Sequence, residues 1–287
     1  MKRVLILGGT RYLGKTIASK VAKEDFEIST MSRSDNSTAV KHFVCDRKDT
    51  SGLKRVLVHF NPHIILDMVN YDQGDSVGIS DLYRQGWCKN LRHYIMISSF
   101  LVYNHFDYHA YSERKVSKNF DQEKIDGYTK RKIESEVALY TSKLMEISTI
   151  LRLPFVFSSD DSTNRFQNLC ELALNDHNHN YDLSTEHQLK YSLLRKDDAA
   201  ESIIQVINSD PIGIADLSNH GCVTSVELLK IIKIILGQKE FNRRTEVFKF
   251  PYFVNREICL CSKKLRTELS TLDALKVEAE SYSLTRN

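Results

Sequence analysis

The stretch Arg3-Val-Leu-Ile-Leu-Gly-Gly-Thr-Arg-Tyr-Leu-Gly14 decides the fold. Its apolar run reads as a parallel strand covered on both faces, and Leu13, Ile17 and Val21 then recur at helical spacing. Strand, glycine-containing turn and helix follow in that order. A helix N-terminus reached through a tight turn offers unpaired N–H groups and a positive dipole end, which suits the two phosphates of a dinucleotide. Gly8, Gly9 and Gly14 supply the turn, and Thr10, Arg11, Tyr12 and Leu13 complete the expected binding segment. A plain tight connection would also use glycines. The strand before this turn and the helix after it are what favour the dinucleotide.

Outward from that unit the alternation continues. Short strands are expected at Phe26-Glu-Ile-Ser-Thr-Met31 and around His42-Phe-Val-Cys45, then an amphipathic helix near Leu53 to Phe60 that Pro62 ends. Ile64-Ile-Leu-Asp-Met-Val69 and Tyr94-Ile-Met-Ile97 read as buried strands, separated by helical sequence around Ser80 to Cys88. Ile133, Val137 and Tyr140 mark the core face of a later helix, and Ile147-Ser-Thr-Ile-Leu151 a further strand. The pattern predicts an α/β fold, a Rossmann-type doubly wound parallel sheet with a smaller C-terminal substrate-binding lobe. We expect residues 1–152 to form the dinucleotide-binding domain and residues 153–287 to mix late sheet elements with the lobe. In the latter, Thr224 and Glu227 form a capping box ahead of the stripe Leu228, Ile231, Ile232 and Ile235, with Gly237 as the stop. The polar connection over residues 104–127, holding His105, Tyr108, His109 and Tyr111, reads as a functional or a mobile loop.

Composition narrows the partners. Lysine and arginine total 40 against 37 acidic residues, and a net charge of +3 is too small to call for nucleic acid or a membrane surface. No apolar stretch reaches membrane-spanning length. Six cysteines scattered through a chain too large to need disulfide staples, together with a start that is no export signal, predict a reducing cytoplasm. Cys259 and Cys261 lack a second pair and His177-Asn-His179 lacks further ligands, so no metal site is expected.

The end of the second strand distinguishes one nicotinamide dinucleotide from the other, because a carboxylate there binds the ribose 2′-hydroxyl and repels a 2′-phosphate. This chain has Ser32 and Arg33 instead, with Arg11 in the glycine turn. One close charge pair is worth about 4 kcal/mol at an effective dielectric near 20, while about 1.4 kcal/mol already gives tenfold preference. NADP is therefore expected over NAD, unless Arg33 is only a solvated surface charge. Asp46, just after the third strand, is placed for the adenine amino group.

Tyr128-Thr-Lys-Arg-Lys132 puts a phenol and an ammonium one helical turn apart on one face. Hydride arriving at a ketone leaves an alkoxide that needs a proton, which a tyrosine can supply if a nearby cation stabilises its phenolate. Ser98 and Ser99, at the end of the strand near residue 97, offer hydroxyls for the substrate oxygen.

Taken together these residues resemble the extended short-chain dehydrogenase/reductase family, especially its branch of nucleotide-sugar epimerases, dehydratases and reductases. Gly8 to Gly14 is similar to that family's first turn with Arg11 replacing the middle glycine, and Cys45-Asp46-Arg47 resembles its adenine contact. Met68-Val-Asn70 falls where the family lines its nicotinamide pocket, which adds Val69 and Asn70 to the expected cofactor contacts. Ser98-Ser-Phe-Leu-Val-Tyr103 is similar to its Ser-Ser-x-x-Val-Tyr signature, and the resemblance makes Ser99, Tyr128 and Lys132 the catalytic set. It also brings Ser98, Tyr128, Lys132, Arg47 and Pro154, from Arg152-Leu-Pro-Phe-Val-Phe157, to the cofactor, and likens Leu194 to Ala199 to a segment bordering the lobe. The family's 4,6-dehydratases carry an Asp-Glu pair where this chain has Phe100 and Leu101, so elimination is not implied. The implied reaction is NADP-dependent reduction of a keto-sugar nucleotide, such as a 4-keto-6-deoxyhexose, by a soluble enzyme for which a homodimer is allowed. A nucleotide-sugar epimerase and a non-catalytic RNA-binding member are the alternatives.

Overall fold

Seven parallel strands form the main sheet: β1 (Lys2–Leu7), β2 (Phe26–Ser32), β3 (Lys41–Val44), β4 (Ile64–Asp67), β5 (His93–Ser99), β6 (Ser148–Leu153) and β9 (Gly213–Asp216). The computed structural model describes residues 1–35, 40–105, 126–174, 188–237, 254, 257–260 and 267–286. Tyr108, His109, Tyr111, His177, His179 and Cys261, together with the side chain of His105, lie outside the described residues.

The spatial order is β3-β2-β1-β4-β5-β6-β9, so the chain winds outward one way from β1 and the other way from β4. Such a reversal opens a crevice at the carboxyl ends of the two central strands. Val4 to Leu7, Ile64 to Leu66 and Tyr94 to Met96 are fully or almost fully buried, as expected of strands with helices on both faces. Register places Leu7 beside Met31 on one side and Asp67 on the other.

The flanking helices begin where side chains can satisfy their free N–H groups. Asp49 accepts from Gly52 N ahead of α2 (Thr50–Phe60), and Asp126 accepts from Tyr128 N and Thr129 N ahead of α4 (Gly127–Tyr140). α3 corrects the expectation of helix around Ser80 to Cys88: it runs Gln73–Arg84. Asp72 and Asp75 build a reciprocal capping box that starts it early, and Gly86, at φ +79°, follows its end.

α4 also differs from the sequence pattern. Its buried face carries Thr129, Lys132, Ser135 and Glu136 beside Ile133 and Leu139, while Val137 and Tyr140 are half-buried. The face is polar because it docks onto hydrogen-bonding partners on α3, on β5 and at Asn70 after β4 rather than onto an oily core.

The chain divides into two units. The first holds the described residues of 1–105, 126–153 and 200–216, so that most of α6 (Lys196–Ser209) and all of β9 belong with the sheet. β9 pairs in parallel with β6, which is why the chain returns here after residue 153. The second unit draws on 154–199 and 217–287 and contains a two-stranded sheet of β7 (Phe155–Phe157) and β8 (Leu193–Arg195). α5 (Arg165–Leu174), α7 (Ser225–Ile235) and α8 (Thr271–Arg286) pack together within it. The Thr224–Glu227 capping box starts α7, and Leu228 and Ile232 are buried with Leu229.

Where the sequence suggested thiols only, Cys222 and Cys259 are joined. Tyr191 is the cause: it bridges Val223 on one side and Ile258 on the other, which draws their neighbouring cysteines together. Among the described residues no helix is long and apolar enough to cross a membrane.

Candidate functional site

A cleft of about 480 Å³ opens in the first unit at the carboxyl ends of β1, β2 and β4. Gly8, Thr10, Arg11, Tyr12, Leu13 and Gly14 line one wall, and Met68, Val69 and Tyr71 another. The chain reaches α1 (Tyr12–Val21) through a turn that depends on glycine at two points. Gly8 has φ +85° and donates its N–H to Met31 O at 2.8 Å. At Gly14 a Cβ would come within 2.7 Å of Gly8 O, so α1 starts closer to the strand end than any side chain permits. Arg11 sits at the N-cap of α1 without a side-chain cap, and no acidic residue occupies the first turn. Such a terminus suits an anion. Tyr12 holds φ 43°, a sparsely populated conformation for a non-glycine residue that bends the turn into the helix.

At the end of β2 the cleft wall is Met31, Ser32, Arg33 and Ser34, with no carboxylate among these four. Cys45, Asp46, Arg47 and Lys48 continue it after β3. The turn suits the phosphates of a dinucleotide, and Arg11 and Arg33 both line the cleft.

Arg47 lines the cleft, but its guanidinium is engaged inward: Nη1 donates to both carboxylate oxygens of Asp67 at 2.7 and 2.6 Å, and Nη2 to Asp75 O at 2.7 Å. Asp67 is fully buried and also accepts from the Tyr94 hydroxyl at 2.6 Å. Buried charges persist where they are paired in this way. Asn70 likewise turns away from the cleft, since its amide donates to Ser76 Oγ at 3.0 Å and Tyr94 OH at 3.1 Å and accepts from Ser135. Ser98 donates to Glu136 Oε1 at 2.5 Å and is buried. The side chains of Asn70 and Ser98, both expected as cofactor contacts, are engaged within the framework. Pro154 is buried and belongs to the second unit.

Ser99, Tyr128 and Lys132 come together through β5 and α4. Burial raises the Tyr128 pKa and the Ser99 side chain pulls it back, while 39% of the residue's surface remains exposed. Lys132 is 3% exposed, and its ammonium donates to Asn70 O at 2.6 Å and to Ile97 O at 2.9 Å. Burial pulls its pKa from 10.5 down to about 8, against the opposing pull of Asp67 and Glu136. Tyr71 links this set to the cleft, lining it while its ring lies 5.4 Å from Lys132 Nζ.

One turn beyond Lys132, Glu136 extends the same helix face. It receives Arg152 Nη2 at 2.6 Å and Nε at 3.1 Å, and Arg152 Nη1 donates to the Tyr103 hydroxyl at 2.8 Å. Tyr103 in turn donates to Asp216 at 3.0 Å. Sequence reasoning missed Glu136, Asp67 and Asp75. The first two had a readable signal, since Glu136 continues the four-residue spacing of Tyr128 and Lys132, and Asp67 ends an otherwise apolar strand.

No protein-family model matches the chain, and no curated protein matches it significantly. Solved structures do. A dTDP-glucose 4,6-dehydratase from Bacillus anthracis in complex with NAD superposes with a TM-score of 0.79 at 12% identity, covering 100% of this chain and 98% of that one. A Thermus thermophilus UDP-glucose 4-epimerase complex with NAD gives 0.75 at 16% identity, over 98% and 99% of the two chains. A dTDP-4-dehydrorhamnose reductase from Yersinia enterocolitica gives 0.69 at 14%, over 98% and 100%. The class that fold and cleft define is a Rossmann-type, doubly wound α/β protein. Its particular architecture is the one these three structures share with the chain over nearly its whole length.

Proposed function

We propose that this protein is an NADP-dependent member of the extended short-chain dehydrogenase/reductase family that reduces a keto-sugar nucleotide, with Tyr128 as the proton donor. One observation carries this reading: Tyr128, whose pKa the Ser99 side chain lowers, stands one helical turn from the buried ammonium of Lys132, in the unit that holds the cleft. The fold it shares with a dehydratase, an epimerase and a reductase of nucleotide sugars supports the substrate class.

Gly8, Thr10, Leu13 and Gly14 would hold the dinucleotide's phosphates at the start of α1, and Asp46 its adenine. Val69 and Tyr71 would border the nicotinamide. Arg11, Ser32 and Arg33 would receive a 2′-phosphate, and the lack of a carboxylate among residues 31–34 at the end of β2 supports NADP even though the Bacillus and Thermus neighbours are complexes with NAD. When bound, the nicotinamide supplies hydride to the carbonyl carbon.

The chain's own groups handle the proton. The Ser99 hydroxyl holds the carbonyl oxygen, and Tyr128 gives that oxygen its phenolic proton as negative charge develops there. A raised pKa keeps Tyr128 protonated at neutral pH, as an acid must be. The Lys132 ammonium, one turn away, stabilises the phenolate left behind until solvent reprotonates it. Phe100 and Leu101 bring no carboxylate after Ser99, which supports simple reduction over elimination.

The test is consumption of NADPH, followed at the nicotinamide absorbance band, with a nucleotide-activated 4-keto-6-deoxyhexose. Net oxidation supports the reading. An epimerase, the reading that the Thermus neighbour favours, would interconvert a sugar nucleotide with no net oxidation and would keep its cofactor through purification. A cytoplasmic setting would hold Cys222 and Cys259 reduced, and thiol labelling of fresh cell extract reads which form is present.

A further inference from the structure

His42 stands on β3 outside the cleft wall, yet it ties together two parts of that wall. Register pairs it with Thr30 on β2. Its Nδ1 lies 2.8 Å from Thr30 Oγ1, and its Nε2 lies 3.1 Å from Ser34 O and 3.3 Å from Ser32 Oγ. A carbonyl oxygen only accepts, so Nε2 carries the proton. In the neutral ring Nδ1 then accepts from the Thr30 hydroxyl.

Both ends of this bridge touch the expected cofactor site. Thr30 is fully buried, and its methyl group would lie 2.8 Å from a Cβ placed on Gly9, so it packs directly against the phosphate turn. At the other end, Ser32 Oγ donates to Ser34 O at 2.8 Å, closing a turn around Arg33 that the imidazole also holds through Ser34. Cys45 N bonds to Ser32 O at 2.9 Å and fixes the start of that turn to the end of β3. Arg33 itself is exposed, so its direction depends on the backbone beneath it.

We propose that His42 is a positioning residue for cofactor selectivity: its imidazole locks the Ser32–Ser34 turn to Thr30 and so aims Arg33 at the ribose 2′-phosphate. The inference rests on the NADP reading above. Its consequence is specific, because a misaimed Arg33 weakens NADPH and leaves NADH, which has no 2′-phosphate, almost unaffected. A purely structural histidine would weaken both cofactors together.

The experiment measures the dissociation constants of NADPH and NADH, and of 2′,5′-ADP and 5′-AMP, for the full-length wild type and for His42→Ala, His42→Gln and His42→Asn. In His42→Ala the NADPH:NADH preference should fall about tenfold, the scale of one misplaced charge contact. Glutamine reaches as far as Nε2 and restores the bond to Ser34 O, so His42→Gln should recover much of the preference. Asparagine reaches only as far as Nδ1 and should not. Adding His42→Ala to Arg33→Ala should change the preference no further, since the aimed group is already gone. If His42→Ala does not fold, the Gln and Asn variants still give opposite expectations. An unchanged ratio in the alanine variant, or equal behaviour of the Gln and Asn variants, overturns the inference while leaving the cofactor reading intact. A wild type that does not discriminate between the cofactors overturns the cofactor reading, and this inference with it.

Discussion

Replacing Lys132 with methionine should change how stability depends on pH, and the direction follows from the site. The ammonium is buried, and its pKa falls from the ordinary 10.5 to about 8. Between those values the unfolded chain still carries the lysine proton that the folded chain has released. The unfolded state therefore binds more protons, and stability rises with pH across that window. The gap of about 2.5, at about 1.4 kcal/mol for each tenfold change in proton affinity, amounts to about 3 kcal/mol. In Lys132→Met this contribution disappears. Urea denaturation of both proteins at pH 7, 8, 9 and 10 would show it as a stability difference that moves toward the wild type from about pH 8 upward. Titrating groups away from Lys132 act equally in the two proteins and cancel, and Tyr128→Phe in both backgrounds removes the tyrosine one helical turn from it. A difference that stays constant from pH 7 to pH 10 would refute the claim that Lys132 is held charged in a desolvated site.

Arg33→Asp should invert cofactor preference toward NADH, because it restores the carboxylate that binds a 2′-hydroxyl and repels a 2′-phosphate; the ratio of the two dissociation constants reads it. Glu136→Gln leaves the fully buried Arg152 without its carboxylate, and thermal or urea unfolding should show a loss of about 3–5 kcal/mol. Reducing Cys222–Cys259 reopens a separation of 37 residues and should lower stability by up to about 4 kcal/mol on the chain-entropy model, measured as unfolding with and without dithiothreitol.

The sheet was legible because its strands are short apolar runs buried on both faces, such as Val4 to Leu7, and each is set off by a helix with its own periodicity. The phosphate turn was legible for a related reason: the positive φ at Gly8 and the close backbone approach at Gly14 both disfavour a side chain. α3 began earlier than expected because two aspartates, Asp72 and Asp75, form its capping box, and the helix then carries few apolar residues to signal it. The roles of Asn70, Ser98 and Arg47 could not be read from spacing. Each side chain chooses between cleft and interior, and the choice is made by partners far away in the chain: Ser135 and Tyr94 for Asn70, Glu136 for Ser98, and Asp67 and Asp75 for Arg47. The Cys222–Cys259 pairing was illegible for the same reason, since Tyr191 brings the two together from outside both segments.

The most direct test of the account is NADPH oxidation by the wild type and by Tyr128→Phe, measured across a panel of nucleotide-activated keto-sugars alongside NADPH affinity. The wild type should turn over at least one of these substrates. The phenylalanine variant should bind NADPH as tightly while losing about 10²–10⁴-fold in turnover, the usual contribution of a general acid. Undiminished turnover in Tyr128→Phe, or a wild type that binds no nicotinamide dinucleotide, would contradict it.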